Sequence, residues 1–342
     1  MLTIHSPRHL LRRATSELAG GHLVAPFECP ERIAFVLERI AETGLGEVIE
    51  PAEHGLDPIL AVHDADFVRF LETAWADWVA SGATGEAIPI VWPARRMSRR
   101  VPNEIGGRLG HYALAAETSI TEGTFAAARS SADVAVEAAS RVADGAGAVF
   151  GLCRPPGHHA ARDLYGGYCF LNNAAIAVER LKARGASRVA VLDVDFHHGN
   201  GTQDVFYDRG DVLYASIHGD PRETFPYFLG YADEIGRGEG EGATLNLPLA
   251  PGADWEVWGA ALATALTRID RFGAEAVVVS LGVDAYEGDP HGFFRLRSQD
   301  FLRLGEAIGR AGHPTVFLME GGYAVAEIGV NVVNVLMGFE NV

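Results

Sequence analysis

Between Arg188 and Gly201 the chain reads Arg-Val-Ala-Val-Leu-Asp-Val-Asp-Phe-His-His-Gly-Asn-Gly, a short apolar run that passes directly into Asp193, Asp195, His197 and His198. Side chains alternate along an extended strand, so Asp193, Asp195 and His197 are expected to share one face. Burying unpaired carboxylates is costly unless a cation or hydrogen bonds compensate. The pattern therefore points to a divalent ion at a strand's carboxyl end. Three further apolar runs end in the same abrupt way. Ala148 to Leu152 leads to Arg154-Pro-Pro-Gly-His-His159, Ala276 to Leu281 leads to Gly282-Val-Asp284, and Thr315 to Met319 leads to Glu320-Gly-Gly-Tyr323. Taken singly, Asp284 reads as a helix cap, the paired histidines as turn residues and Tyr323 as a half-buried aromatic. Together they make a chemical set. Asp195, His197 and Asp284 supply oxygen and nitrogen donors with coordination positions left open, which suits Zn2+ and also accommodates Fe2+, Co2+ or Mn2+. His158 and His159, near neutral pH, suit acid and base work on an attacking water. Tyr323 offers a phenolic donor to a developing oxyanion.

Such clusters need a scaffold that brings strand ends together. Leu2 to His5 reads as a first strand, and Pro30 begins a helical pattern running to Ile40. A second helical pattern covers 57–80 around Phe67, Phe70, Leu71 and Trp75, with His54 and His63 read as scaffold. Residues 81–110 break the periodicity with Gly82, Gly85, Pro89, Pro93 and Pro102 among five arginines, and a loop of that length is usually functional or an interaction surface. Helical character is expected again near Tyr112, carrying Glu117, and through the Ala-rich stretch 126–143. Beyond that, strand candidates at Ala148 to Leu152, Val189 to Leu192, Val212 to Ile217, Thr244 to Leu247, Ala276 to Leu281 and Thr315 to Met319 alternate with helices at 172–184, 254–272 and 299–311. The alternation predicts one α/β domain, residues 1–342, whose largely parallel sheet is covered by helices on both faces. In such sheets ligands bind outside the carboxyl ends of the strands.

Composition sets bounds. A chain of 342 residues with 48% hydrophobic content can bury a large core. With 28 Lys and Arg against 45 Asp and Glu, the formal charge of -17 disfavours nucleic acid and anionic membranes and suits a cationic ligand. Cys29, Cys153 and Cys169 form no disulfide or metal pattern, so a reducing compartment is expected. Residues 1–13 lack an apolar core of the signal-peptide kind and no segment is long enough to span a bilayer, so a cytoplasmic protein is expected.

The four motifs, with Gly166-Gly-Tyr-Cys-Phe-Leu-Asn-Asn173 and the extension Asn200-Gly-Thr-Gln203, resemble the zinc-dependent histone deacetylase superfamily. The likeness runs over nearly the whole chain. The long loop and Trp92-Pro-Ala-Arg-Arg96 are most similar to the bacterial acetylpolyamine amidohydrolases. The resemblance implies the arginase/deacetylase fold, an α/β domain with a mostly parallel eight-stranded sheet flanked by helices. It assigns Asp195, His197 and Asp284 to zinc, His158 and His159 to acid and base work, and Tyr323 to the carbonyl oxygen. It implies a structural K+ or Na+ at Asp193, Asp195, His197 and Ser216, aromatic tunnel walls at Tyr168 and Phe225, and substrate contacts at Gly167 and Glu117. Class I deacetylases carry Asp where this chain has Asn200. With Asn200 behind His159 and Asp193 behind His158, His159 should hold its proton less tightly and be the better base. In the resembling subgroup the loop at 81–110 forms a homodimer that narrows the entrance.

The reading that follows is metal-dependent hydrolysis of an acetamide on a small cationic amine: an acetylpolyamine, an acetylated diamine or free acetyl-lysine. A protein or peptide deacetylase differs from it only in substrate. An arginase-type dimetal ureohydrolase would need more carboxylates around a second divalent ion, and a silent acetyl-amine binding protein would not keep the whole catalytic set.

Overall fold

The computed structural model describes residues 1–342. In chain order its elements are β1 (Leu2–His5), β2 (Glu17–Ala19), β3 (His22–Val24), α1 (Glu31–Thr43), β4 (Val48–Ile49), α2 (Asp57–Leu60), α3 (Ala65–Ala80), α4 (Ile105–Tyr112), α5 (Thr124–Ala143), β5 (Ala148–Leu152), α6 (Asn173–Ala183), β6 (Val189–Asp193), α7 (Asn200–Phe206), β7 (Val212–Gly219), β8 (Thr244–Leu249), α8 (Trp255–Phe272), β9 (Ala276–Leu281), α9 (Ser298–Ala311), β10 (Thr315–Met319) and α10 (Ile328–Glu340). Eight strands form one sheet in the order β4-β1-β5-β10-β9-β6-β7-β8, and every pairing in it is parallel. The remaining two strands, β2 and β3, make a separate antiparallel hairpin.

The central strands are continuous apolar runs because both of their faces are covered. Helices α5 and α6 pack on each other and on the sheet, while α1, α10, α9 and α8 pack in succession as a second group. Local chemistry marks the helix ends. Asp254 accepts the Glu256 and Val257 amides at the start of α8, which closes at Gly273 in the left-handed conformation. Asn172 caps α6 by accepting the Ala175 amide, and its side-chain amide donates to Ala160 O, tying that helix to the loop after β5.

The topology positions the chemistry. β5, β10, β9 and β6 are neighbours at the centre of the sheet, and the four motifs are the segments that leave their carboxyl ends. Three expectations need correction. The pattern at 57–80 is broken into α2 and α3 by a turn at Ala61 to Asp64. The irregular segment after α3 ends at Asn103 and Glu104, because Glu104 accepts the Gly107 amide and starts α4, so 105–110 are helical. Glu117 is not on a helix. It lies in the connection between α4 and α5, where the chain is held by the Ala87–Ile120 and Ala113–Tyr165 bridges instead.

Candidate active site

β6 stops at Asp193, so the strand alternation expected of Asp193, Asp195 and His197 does not continue beyond it. Successive side-chain-to-amide bonds take over: Asp193 accepts the Asp195 amide at 3.2 Å, and Asp195 accepts the His197 amide at 2.9 Å. The turn sends Asp193 away from Asp195 and His197. Asp195, His197 and Asp284 converge, with one potential ligand atom from each lying within 4.8 Å of the others. His197 Nδ1 lies 3.3 Å from Asp195 Oδ1 and 3.0 Å from Asp284 Oδ2. The Gly321 amide donates to Asp195 at 2.7 Å and the Phe196 amide to Asp284 at 2.7 Å. Gly321 is needed for this approach, since a Cβ there would lie 2.4 Å from Asp284 Oδ2.

Both carboxylates are fully buried with no lysine or arginine beside them. Burial, together with the charge of Asp195, raises the Asp284 carboxyl above the usual carboxylate range. Two buried carboxylates and an imidazole turned on one point are a donor set with a charge deficit, which a divalent cation would fill. The residues fit a metal.

The loop after β5 carries His158 and His159 beside that point. Glu320 Oε2 accepts the Gly157 and His158 amides at 2.6 and 3.1 Å, and Asn173 and Ser131 hold Pro155 O. His158 Nδ1 lies 3.1 Å from Asp193 Oδ2, and His159 Nδ1 lies 2.7 Å from Asn200 Oδ1, so the expected pairing is the one observed. The two rings are in contact, 4.0 Å between centroids, yet titrate in opposite directions. Burial opposes charge on His158, but Asp195 and Asp193 outweigh it and raise its pKa to about 10. Burial and the neighbouring charges of His158 and His197 drive His159 well below 6.5. The surroundings favour the proton on His158 and disfavour it on His159.

Tyr323 is buried, and burial is the main cause that raises its phenol well above 10, so it remains a donor. Its ring lies 5.6 Å from that of Tyr168. The Phe225 ring stands edge-on to His159 at 5.0 Å. These side chains line a cavity of about 260 Å³ together with His197, Gly167, Glu117, Leu18, Ala19, Glu17 and His291. Gly167 has φ +56, and a Cβ there would lie 2.2 Å from the His159 ring. Its amide donates to Glu117 Oε1 at 2.7 Å, which brings the half-buried Glu117 carboxylate to the cavity wall.

Ser216 and Asp193 do not reach the cavity. They are partners across β6 and β7, behind His158, where Ser216 Oγ bonds His218 Nδ1 and the Tyr214 hydroxyl donates to Asp193. Three residues escaped the sequence reading. Glu17, on β2, accepts the Tyr168 hydroxyl at 3.1 Å; His291 lines the cavity with a buried, unpartnered Nε2; Asp289 accepts the Tyr323 amide at 2.6 Å. No motif or periodicity flags them, because each is brought to the cavity or to its tyrosine by the fold and not by its neighbours in the chain.

Residues 26–338 match the histone deacetylase domain. The chain is 57% identical to acetylpolyamine amidohydrolase 2 of Pseudomonas aeruginosa over 342 residues, covering 100% of this chain and 99% of that one. It is 55% identical to the acetylpolyamine amidohydrolase of Mycoplana ramosa over 338 residues, covering 99% of each. The crystal structure of the acetylpolyamine aminohydrolase from Burkholderia pseudomallei superposes with a TM-score of 0.95 at 40% identity, over 99% of this chain and 98% of that one.

Proposed function

The chain belongs to the histone deacetylase family, and on that premise we propose that it is a metal-dependent amidohydrolase removing acetyl groups from small acetylated amines, acetylpolyamines and acetylated diamines foremost. The observation that carries the chemistry is the convergence of Asp195 and Asp284 on His197, which lines the same cavity as Tyr323 and His159. The substrate class is supported by identity of 55 to 57% to acetylpolyamine amidohydrolases over essentially their whole length. Two carboxylates on the cavity wall, Glu17 and Glu117, also favour an amine that carries further positive charge.

Asp195, His197 and Asp284 would hold the ion, zinc by preference, with Fe2+ or Co2+ as alternatives. When bound, such an ion polarises the amide carbonyl and makes water more acidic. His159, kept neutral by burial, accepts a proton from the water as its oxygen bonds to the carbonyl carbon. The Tyr323 hydroxyl donates to the carbonyl oxygen as negative charge collects there. His158, charged because Asp195 and Asp193 hold its proton, adds a fixed positive charge to the same centre. The C–N bond then breaks, His159 gives its proton to the nitrogen, and acetate and the free amine leave. Tyr168 and Phe225 wall the stem, and Gly167 lets the wall close on His159.

A structural K+ or Na+ belongs with Asp193, the carbonyls of Asp195 and His197, and Ser216; the pairing of Asp193 with Ser216 across β6 and β7 supports that assignment. The irregular segment 81–104 exposes Ile90, Val91, Met97 and Val101, which supports a homodimer formed through it. No helix is long and apolar enough to cross a membrane, and the three cysteines are unpaired, which suits a reducing compartment such as the cytoplasm.

Acetate release by the zinc-loaded protein from acetylated diamines, polyamines, acetyl-lysine and acetyl-lysine peptides tests the proposal. Preference for the small amines is expected. Equal or better turnover of peptides would make it a protein deacetylase, and urea release with two metals per subunit would make it a ureohydrolase.

A further inference from the structure

Asp289 is 6% exposed and has no lysine or arginine among the groups that act on it. A carboxylate so placed is costly unless hydrogen bonds satisfy it. All the compensation it finds is backbone N–H from two different loops. Oδ2 accepts the Tyr323 amide at 2.6 Å and the Ala324 amide at 3.0 Å, and Oδ1 accepts the His291 amide at 3.0 Å. Charge-assisted bonds of this kind are shorter and stronger than those a neutral acceptor would make.

The bond to Tyr323 has a counterpart on the same peptide unit. Arg32, fully buried in α1, donates to Gly322 O at 2.8 Å and to Glu320 O at 2.5 Å. The Gly322–Tyr323 peptide is thus gripped at both ends, its carbonyl by a guanidinium and its N–H by a carboxylate. With that plane fixed and the next peptide held through the Ala324 amide, the direction in which the Tyr323 Cα–Cβ bond leaves the chain is set. Gly322, at φ +128, gives the backbone a freedom that these two charges remove. The third bond acts on the ring. By holding the His291 amide, Asp289 keeps the imidazole edge-on to the Tyr323 ring at a centroid distance of 4.7 Å, which limits the ring's rotation.

We propose that Asp289 is a positioning residue that sets the Tyr323 hydroxyl for the substrate carbonyl oxygen, a role that rests on the reading of Tyr323 given above. Asp289 touches no reacting atom. It acts through the Tyr323 backbone, and an oxyanion donor loses effect when displaced by a fraction of an ångström; its charge also bears on Asp284 and His197, so bound zinc is measured beside kcat. A carboxylate that only stapled two loops would contribute to stability and leave turnover unchanged.

A double-mutant cycle on the zinc-loaded full chain separates the two roles. Asp289→Asn and Tyr323→Phe are made singly and together, and kcat, KM, bound zinc and Tm are measured for an acetylated diamine. The expected result for Asp289→Asn is full zinc content, KM within about twofold of wild type, and kcat lowered roughly 10- to 100-fold, less than the ~10²- to 10³-fold typical of deleting an oxyanion donor. In the Tyr323→Phe background the same substitution should lower kcat by less than about twofold, since no hydroxyl remains to position. Equal losses in both backgrounds, a kcat near wild type, or loss of zinc in the single variant would overturn the proposal. Should Asp289→Asn fail to fold, Asp289→Glu, which keeps the charge on a longer stem, carries the same cycle with the same two outcomes. Absence of deacetylation by the wild-type protein would instead remove the parent reading, and this assignment with it.

Discussion

Asp195, Asp284 and the paired histidines sit on segments leaving three strands at the centre of the sheet, β6, β9 and β5, are buried, and are each bound by backbone amides or by a partner side chain. The cavity walls are made differently. Glu17 comes from a hairpin outside the sheet, and Glu117, Phe225 and His291 come from loops with no strand in common. The floor is therefore as rigid as the sheet, whereas the walls can change by loop variation without disturbing it. The proposed mechanism assigns bond cleavage to the floor and choice of amine to the walls, so substitutions in the two regions should leave different kinetic signatures.

The largest effect is expected at the metal ligands. Asp284→Ala should abolish zinc binding and lower activity by more than about 10³-fold, because two donors remain where three are needed. Zinc should raise the Tm of wild type and leave that of the variant unchanged, a difference that thermal unfolding with and without the metal would show. Full zinc occupancy in Asp284→Ala would remove the floor as drawn. Tyr323→Phe is the next test. It should keep zinc and KM and lose roughly 10²- to 10³-fold in kcat, as measured by steady-state kinetics. A rise confined to KM would move Tyr323 from the chemistry to the wall.

The histidines divide the floor more finely. The proposed mechanism needs His159 neutral, so the acid limb of the pH–rate profile should lie below pH 6.5, the side to which burial and the charge of His158 shift it. The proposed mechanism also has His158 charged, held so by the neighbouring carboxylate of Asp193, so the alkaline limb should lie above the usual histidine range. Asn200→Asp places a negative charge beside His159 Nδ1, which favours the protonated ring and raises its pKa. The acid limb should then move to higher pH. His159→Ala should also cost more activity than His158→Ala. An unmoved limb, or a larger loss at His158, would exchange their roles.

The smallest effect belongs to the wall. Glu117→Gln keeps an acceptor for the Gly167 amide and removes only the charge, so it should raise KM about 3- to 10-fold for substrates with a distal ammonium, with kcat unchanged. Added salt should shrink the difference between wild type and variant. A kcat effect of the same size would mean that wall and floor are not separable.

The same division decides what could be read from the sequence. The strands β5, β9 and β10 are evident to the residue because burial on both faces leaves unbroken apolar runs that end sharply in polar motifs. Asp195, His197 and Asp284 were legible for that reason, whereas the pairing of His159 with Asn200 was implied by the family resemblance and not by any strand pattern. Glu117 was misplaced on a helix because an alanine-rich neighbourhood imitates helical propensity, while its true conformation is set by a bond to Gly167, 50 residues away. Glu17 and Asp289 carried no local signal at all. Each meets its partner across a long sequence separation, Tyr168 and Tyr323 respectively, and a single sequence does not encode such a meeting as a pattern.

The most direct test is kcat/KM for acetate release by the zinc-loaded protein, comparing an acetylated polyamine with an acetyl-lysine peptide and repeating both with Asp284→Ala. The account predicts efficient zinc-dependent turnover of the polyamine, at least about tenfold above the peptide, and no turnover of either by the variant. Acetate release that persists in the variant, or a wild-type protein that leaves every acetylated amine intact, would contradict it.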